Sequence, residues 1–195
     1  MVSKLDICNL ALAQLGQEPI SSLEQDDERA RRCRLFYDPI RKEVLRTHNW
    51  SFACTQANLA LLDEQIAGGK PQYMYAYPQD CLFMRKVYGA DGQHKVSFQE
   101  MYRQDLQMRV IGCCVAQARA EYTRDLSDTT QFDPAFVKAF SLALAADLAM
   151  TLSADMSLAQ QILHKYTLAL DEARRSNMSE NFEIHQSESI FVEQR

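Results

Sequence analysis

The sequence predicts a mainly α protein with an inserted β subdomain. Apolar residues recur three or four apart at both ends of the 195-residue chain, whereas its middle consists of short apolar runs separated by turn signals. Only 6 Gly and 5 Pro are present, which argues against low-complexity or collagen-like character and favours helix. The division that follows is a bundle of about four helices built from both ends, residues 1–50 and 132–177, around a β-rich subdomain at 51–131. Residues 178–195 form an extended C-terminal tail.

Ser3 and Asp6 have the spacing of a capping box, and Leu5, Cys8, Leu12 and Leu15 then repeat at helical intervals until Gly16 supplies a stop. A second, longer helix carries Ala30, Cys33, Tyr37, Ile40 and Val44 on one face. Pro39 is expected to kink it, because proline removes a hydrogen bond and crowds the preceding turn. From Trp50 to Gln131, "QYMYAY", "LFMRKVY", "KVSF" and "ARAEYTR" read as strands between "AGGKP", "YGADGQ" and "LSDTTQ". "VIGCCV" fits helix or strand equally well.

Asp133 before Pro134 marks the start of a third helix reaching Leu152. It is apolar almost all round, so it belongs at the centre of the bundle, while Lys138 and Asp147 keep it short of a membrane span. Ser157 and Gln160 suggest a capping box for a fourth helix with a stripe of Leu158, Ile162, Tyr166, Ala169 and Ala173. Arg174 and Arg175 in its last turn complement the helix dipole.

Composition narrows the function. A net charge of −5 disfavours general affinity for nucleic acid or anionic membrane. The N-terminal run is interrupted by Asp6, Asn9 and Gln14, unlike a secretory signal, so a cytosolic site of synthesis is expected. Six cysteines without a CxxC pair fit reduced thiols better than a disulfide framework. His48, His94, His164 and His185 lie too far apart in sequence to suggest a metal site, and no cofactor is expected.

Cys81, in "YPQDC", is the most reactive-looking residue, yet a nucleophilic thiol needs a base or a positive neighbour and Asp80 has the wrong sign. Pro78 instead makes the segment a rigid entrance to a strand. "GGKP" lacks the earlier glycine and the final Ser or Thr of a phosphate-binding loop, which leaves a hairpin. Glu24, Asp26, Asp27 and Glu28 are consecutive at a helix start, where they answer the dipole, rather than facing one another as a glycosidase pair does. No catalytic residue is assigned.

Arg29, Arg31, Arg32 and Arg34 spread around the second helix and are candidates for a subunit interface. In the tail, Phe182, Ile184, Ile190 and Val192 occupy even positions between polar residues, the pattern of a strand with one apolar face. With Phe191, they are candidates for binding a partner or a neighbouring subunit by adding to its sheet edge.

Three blocks resemble the head-to-tail adaptor family of short-tailed bacteriophages, also called tail tubular protein A. They are Trp50-Ser51-Phe52-Ala53 after a long helix, Tyr77-Pro78-x-Asp80-Cys81-Leu82, and Phe132-Asp133-Pro134-x-Phe136 before an apolar helix. The resemblance extends from about Leu5 to Ala173. The family places an arginine soon after the second block, whereas here Phe83 and Met84 intervene and Arg85 is the first basic residue.

The resemblance implies a non-enzymatic virion protein, made in the host cytoplasm and placed at the head-tail junction. It implies a ring, twelve subunits in the family, that docks on the portal protein, continues the DNA channel and receives the tail nozzle protein. DNA would pass without specific binding, and no membrane is involved. The competing expectation is a tail-associated hydrolase acting on cell-wall or capsular glycan.

Overall fold

The computed structural model describes residues 2–67, 70–153 and 155–180. Four helices and eight strands run in the order α1 (Lys4–Gln14), α2 (Glu28–Arg46), β1 (Cys54–Asn58), β2 (Leu61–Ala67), β3 (Lys70–Ala76), β4 (Cys81–Tyr88), β5 (Lys95–Val96), β6 (Phe98–Arg103), β7 (Met108–Cys113), β8 (Arg119–Arg124), α3 (Pro134–Leu152) and α4 (Met156–Glu180). Short 3-10 turns precede β1 and α3.

The expectation of a mainly α protein is therefore corrected. The strands form two four-stranded antiparallel sheets, ordered β1-β8-β4-β5 and β2-β3-β7-β6, and the fold is mixed α and β. What the sequence reading lacked were chiefly strands of low apolar content. β1 and β6 lie at sheet edges and alternate between half-buried and exposed residues without a fully buried one. "KVSF" divides between the sheets: Val96 pairs with Val87 in the first, while Phe98 pairs with Cys113 in the second. The ambiguous "VIGCCV" supplies most of β7, a strand held on both sides.

The two sheets share one apolar core, with Tyr75, Ile111 and Cys113 from the second meeting Met84, Val87, Ala120 and Tyr122 from the first. A separate, larger core fills the helical part. There α3 packs against α1, α2 and α4. By length and composition α3 is apolar enough to cross a membrane, which corrects the expectation that it falls short. Its apolar faces are covered by those three helices, and Phe136, Ala139, Phe140, Leu144 and Leu148 are fully buried.

Local chemistry sets most helix ends. Ser3 and Asp6 close the capping box of α1, Asp27 accepts the Arg29 amide at the start of α2, and Asp133 accepts the Ala135 and Phe136 amides at the start of α3. Two expectations fail for α4. Its start is capped by Asp155, whose carboxylate accepts from the Ser157 and Leu158 amides, in place of the Ser157–Gln160 box. It is helical through Glu180, so neither Arg174 nor Arg175 is in the last turn. The helix α2 continues through Pro39. The hairpin expected at "GGKP" joins β2 to β3, with Ala67 paired to Lys70; Gly68 and Gly69 lie outside the described residues.

Candidate functional site

The helical part and the sheets meet at a junction built by the C-terminal end of α2, the following 47–53 segment, β4 and the last turns of α4. Trp50 is 1% exposed and donates its indole N–H at 3.1 Å to the Val44 carbonyl, which also accepts from the Thr47 amide and hydroxyl at the end of α2. Its ring contacts Phe136 at 5.1 Å and Phe52 at 5.9 Å, and Phe52 meets Phe132 at 5.9 Å. Thus Trp50-Ser51-Phe52-Ala53 and Phe132-x-x-x-Phe136, remote in sequence, form a single aromatic cluster.

The "YPQDC" segment is fastened to the same region. The Cys81 amide donates to the Pro78 carbonyl at 3.1 Å, closing the turn, and the Tyr122 hydroxyl donates to Asp80 at 2.9 Å. Leu82 packs against the helical core while its carbonyl accepts from Arg46 Nη1 at 2.9 Å. Arg85 answers from the other side. Its Nη2 donates to the carbonyls of His48 at 2.6 Å and Arg46 at 3.0 Å, and its Nε donates to Thr123 Oγ1 at 2.9 Å. A cation at those carbonyls complements the negative end of the α2 dipole. Both guanidinium groups also lie over the Phe83 ring, at 4.4 Å and 5.5 Å.

Burial pushes the Cys81 thiol above its ordinary pKa, partly offset by the Tyr77 side chain, so the reactive thiolate is disfavoured. Cys81→Ser is expected to fold and to lose about 1 kcal/mol, the low end for a buried hydroxyl, because the Tyr77 hydroxyl beside it can partner the serine. Urea unfolding measures this. A loss well above about 3 kcal/mol, or the disappearance of a hydrolytic activity shown by the wild type, would contradict a scaffold role.

The arginine-rich face of α2 is paired rather than free. Arg29 grips Asp27 at 2.7 Å and the Glu18 carbonyl at 3.0 Å, tying the preceding loop to the helix. Arg31 pairs with Asp26, Arg32 with Glu28 and Arg34 with Glu24, at 3.0, 3.2 and 3.0 Å. The acidic run is thereby accounted for as a cap and three ion-pair partners. The Arg29 side chain and amide hold the Asp27 carboxyl down at about 2. Beside these pairs Leu35 is 61% exposed, at the edge of a shallow depression shared with Arg31 and Arg34.

The tail candidates Phe182, Ile184, Ile190, Phe191 and Val192 lie outside the described residues. Among the described residues no group of three or more His, Cys, Asp or Glu side chains could hold a metal ion.

Two features were not found by sequence reasoning. Leu163 and Leu168 lie off the apolar stripe of α4 and are 52% and 59% exposed. With Leu10 and Leu142, Leu168 lines an open groove of about 470 Å³ between α1, α3 and α4, bridged by the Lys138–Glu172 ion pair at 2.9 Å. Their departure from the stripe was the available signal. The second feature is Asn177, a buried polar residue in α4 whose side chain reaches across to the 48–51 segment. Nothing in its sequence surroundings marks it. No family model and no curated protein matches the chain.

Proposed function

We propose that the protein is a structural head-to-tail adaptor: a ring-forming virion component that docks on a portal protein, extends the DNA channel and receives a tail nozzle protein. The observation that carries this reading is the convergence of the three resembling blocks. Trp50–Ala53 and Phe132–Phe136 form one aromatic cluster, and Tyr77–Leu82 reaches the same helical core through Leu82 while Tyr77 and Cys81 pack in the sheet core. Blocks that join the two cores are a stronger basis for kinship in fold than three separate matches. The site chemistry agrees with a non-enzymatic role, since the Cys81 thiol is held protonated and the acidic run is spent on a cap and ion pairs.

In this reading the α2 face with Arg31, Arg32 and Arg34 contacts the neighbouring subunit. Exposed ion pairs contribute little to stability, typically about 0–1 kcal/mol, so their partners can be exchanged for those of another subunit. The C-terminal segment with Phe182, Ile184, Ile190, Phe191 and Val192 binds the portal or a neighbour. Removing residues 181–195 keeps α4 whole to Glu180. The shortened chain is expected to stay folded and to bind purified portal more weakly than the full chain. Titration followed by electron microscopy tests both statements. Equal affinities and equal ring yields would remove the role of the tail, and no ring with either chain would remove the adaptor reading.

A further inference from the structure

The last turns of α4 are held by a side-chain network whose hydrogen-bond directions are fixed. Asn177 Oδ1 accepts from the Ser51 amide at 2.9 Å and from the Ser51 hydroxyl at 2.8 Å. A backbone N–H can only donate, so the oxygen of the amide must be on that side. Asn177 Nδ2 therefore faces the Asn49 carbonyl at 3.3 Å and His48 Nε2 at 3.1 Å. Because Nδ2 is a donor, His48 Nε2 must accept, which requires the neutral imidazole with its proton on Nδ1.

We propose that His48 and Asn177 form a proton-controlled latch on the C-terminal end of α4, closed by the neutral imidazole and released when it is protonated. Protonation places an N–H opposite the Asn177 NH₂ group, so two donors face one another and the contact becomes repulsive. The amide cannot turn to relieve this without presenting its NH₂ group to the Ser51 N–H.

Among the described residues, the charged groups facing the ring come from two elements. Arg174 on α4 donates to the Thr47 carbonyl at 3.3 Å, and Arg85 on β4 donates to the His48 carbonyl at 2.6 Å. The Trp50 ring covers another side at 5.0 Å. Glu121 on β8, a carboxylate near the junction, is engaged by the Asn49 and Gln56 side chains, the Tyr88 hydroxyl and Lys86. Burial first, and then the two arginines, lower the His48 pKa below its ordinary value of 6.5. Since the unfolded chain takes up the proton more readily, the latch contributes fully above the ordinary histidine pKa. Its contribution falls as pH drops from there towards the lowered folded value.

The latch lies immediately before the segment assigned above to partner binding, but it rests on the 48–51 and 177 geometry alone. A portal-binding result therefore leaves it standing or falling independently. The test is hydrogen exchange of the full-length protein from about pH 7.5 to about pH 5, a window that brackets an ordinary histidine. Rates are expressed as protection factors to remove the intrinsic pH dependence, and the His48 ring is followed by NMR.

Protection over residues 173–180 is expected to fall between the ordinary histidine pKa and the lower His48 midpoint, with a slope of at most about tenfold per pH unit, the limit for one proton, and to level off below that midpoint. His48→Gln keeps an acceptor that does not titrate, so its protection should be flat across the window. Asn177→Asp places a carboxylate against the ring and should raise the His48 midpoint above the wild-type value, a readout that survives even if the glutamine variant folds poorly. Wild-type protection that is flat across the whole window, the same fall in His48→Gln, or an unmoved midpoint in Asn177→Asp would each overturn the latch.

Discussion

Trp50→Ala is expected to lose about 3–5 kcal/mol of folding stability, the range for truncating a large buried aromatic. The ring is 1% exposed and sits between Phe52, Phe136 and His48, so a cavity would open where both parts of the fold meet. The substitution also removes one of three donors to the Val44 carbonyl, which keeps those of the Thr47 amide and hydroxyl. Trp50→Phe separates the two losses, since it keeps most of the packing and removes only the indole hydrogen bond, at about 0.5–1.5 kcal/mol. Urea unfolding followed by circular dichroism suits the comparison, because the chain has 1 Trp and either variant loses its fluorescence. A cost for alanine below about 1 kcal/mol would mean that the junction carries little of the stability.

The second large effect is expected at Arg41, which is 3% exposed. Its Nη1 meets the Leu126 carbonyl and Asp125 Oδ1, both at 2.6 Å, and its Nε meets Asp38 at 3.2 Å. Burial alone would raise the Asp125 carboxyl, but Lys42 and Arg41 outweigh it and hold the pKa below the ordinary value. Arg41→Met restores the lost volume but strands that carboxylate and carbonyl. A loss of about 3 kcal/mol follows, the lower end for breaking a buried pair, because Lys42 still reaches Asp125 at 3.0 Å. Adding Asp125→Asn should recover part of it. If the single variant were as stable as the wild type, the pair would be a surface contact in energetic terms.

Parts of the fold that depend on local chemistry were legible in the sequence. Ser3 and Asp133 cap helices where short polar side chains precede apolar periodicity, and the stripes of α2 and α4 face the core. Strands that depend on their neighbours were less legible. β1 and β6 are edge strands without a buried residue, and β2 was hidden in the mixed polar sequence "LLDEQIA", so the protein looked more helical than it is. The same limit applies to the junction. His48 and Asn177 are separated by 129 residues, and neither has a local reason to be polar; only the fold brings a donor to face an acceptor. The arginines of α2 were visible as a cluster, but their pairing with Glu24, Asp26, Asp27 and Glu28 follows from a loop path that composition does not encode.

The central helix is also late in the chain. α1 and α2 expose apolar faces that α3 covers, yet α3 begins at Pro134, after the whole β segment has been made. At a synthesis rate of about 5–20 residues per second, the first two helices wait on the order of ten seconds for the surface they pack against. During that interval the nascent chain carries Ile7, Leu12, Tyr37 and Val44 without their final cover, whereas the sheets can pair among themselves as soon as β8 emerges. The order of assembly on the ribosome therefore departs from the order in sequence: sheets first, then the helical part, with its N-terminal half closed by its C-terminal half. A chaperone that shields exposed apolar helix faces would find its target in the first fifty residues of an unfinished chain.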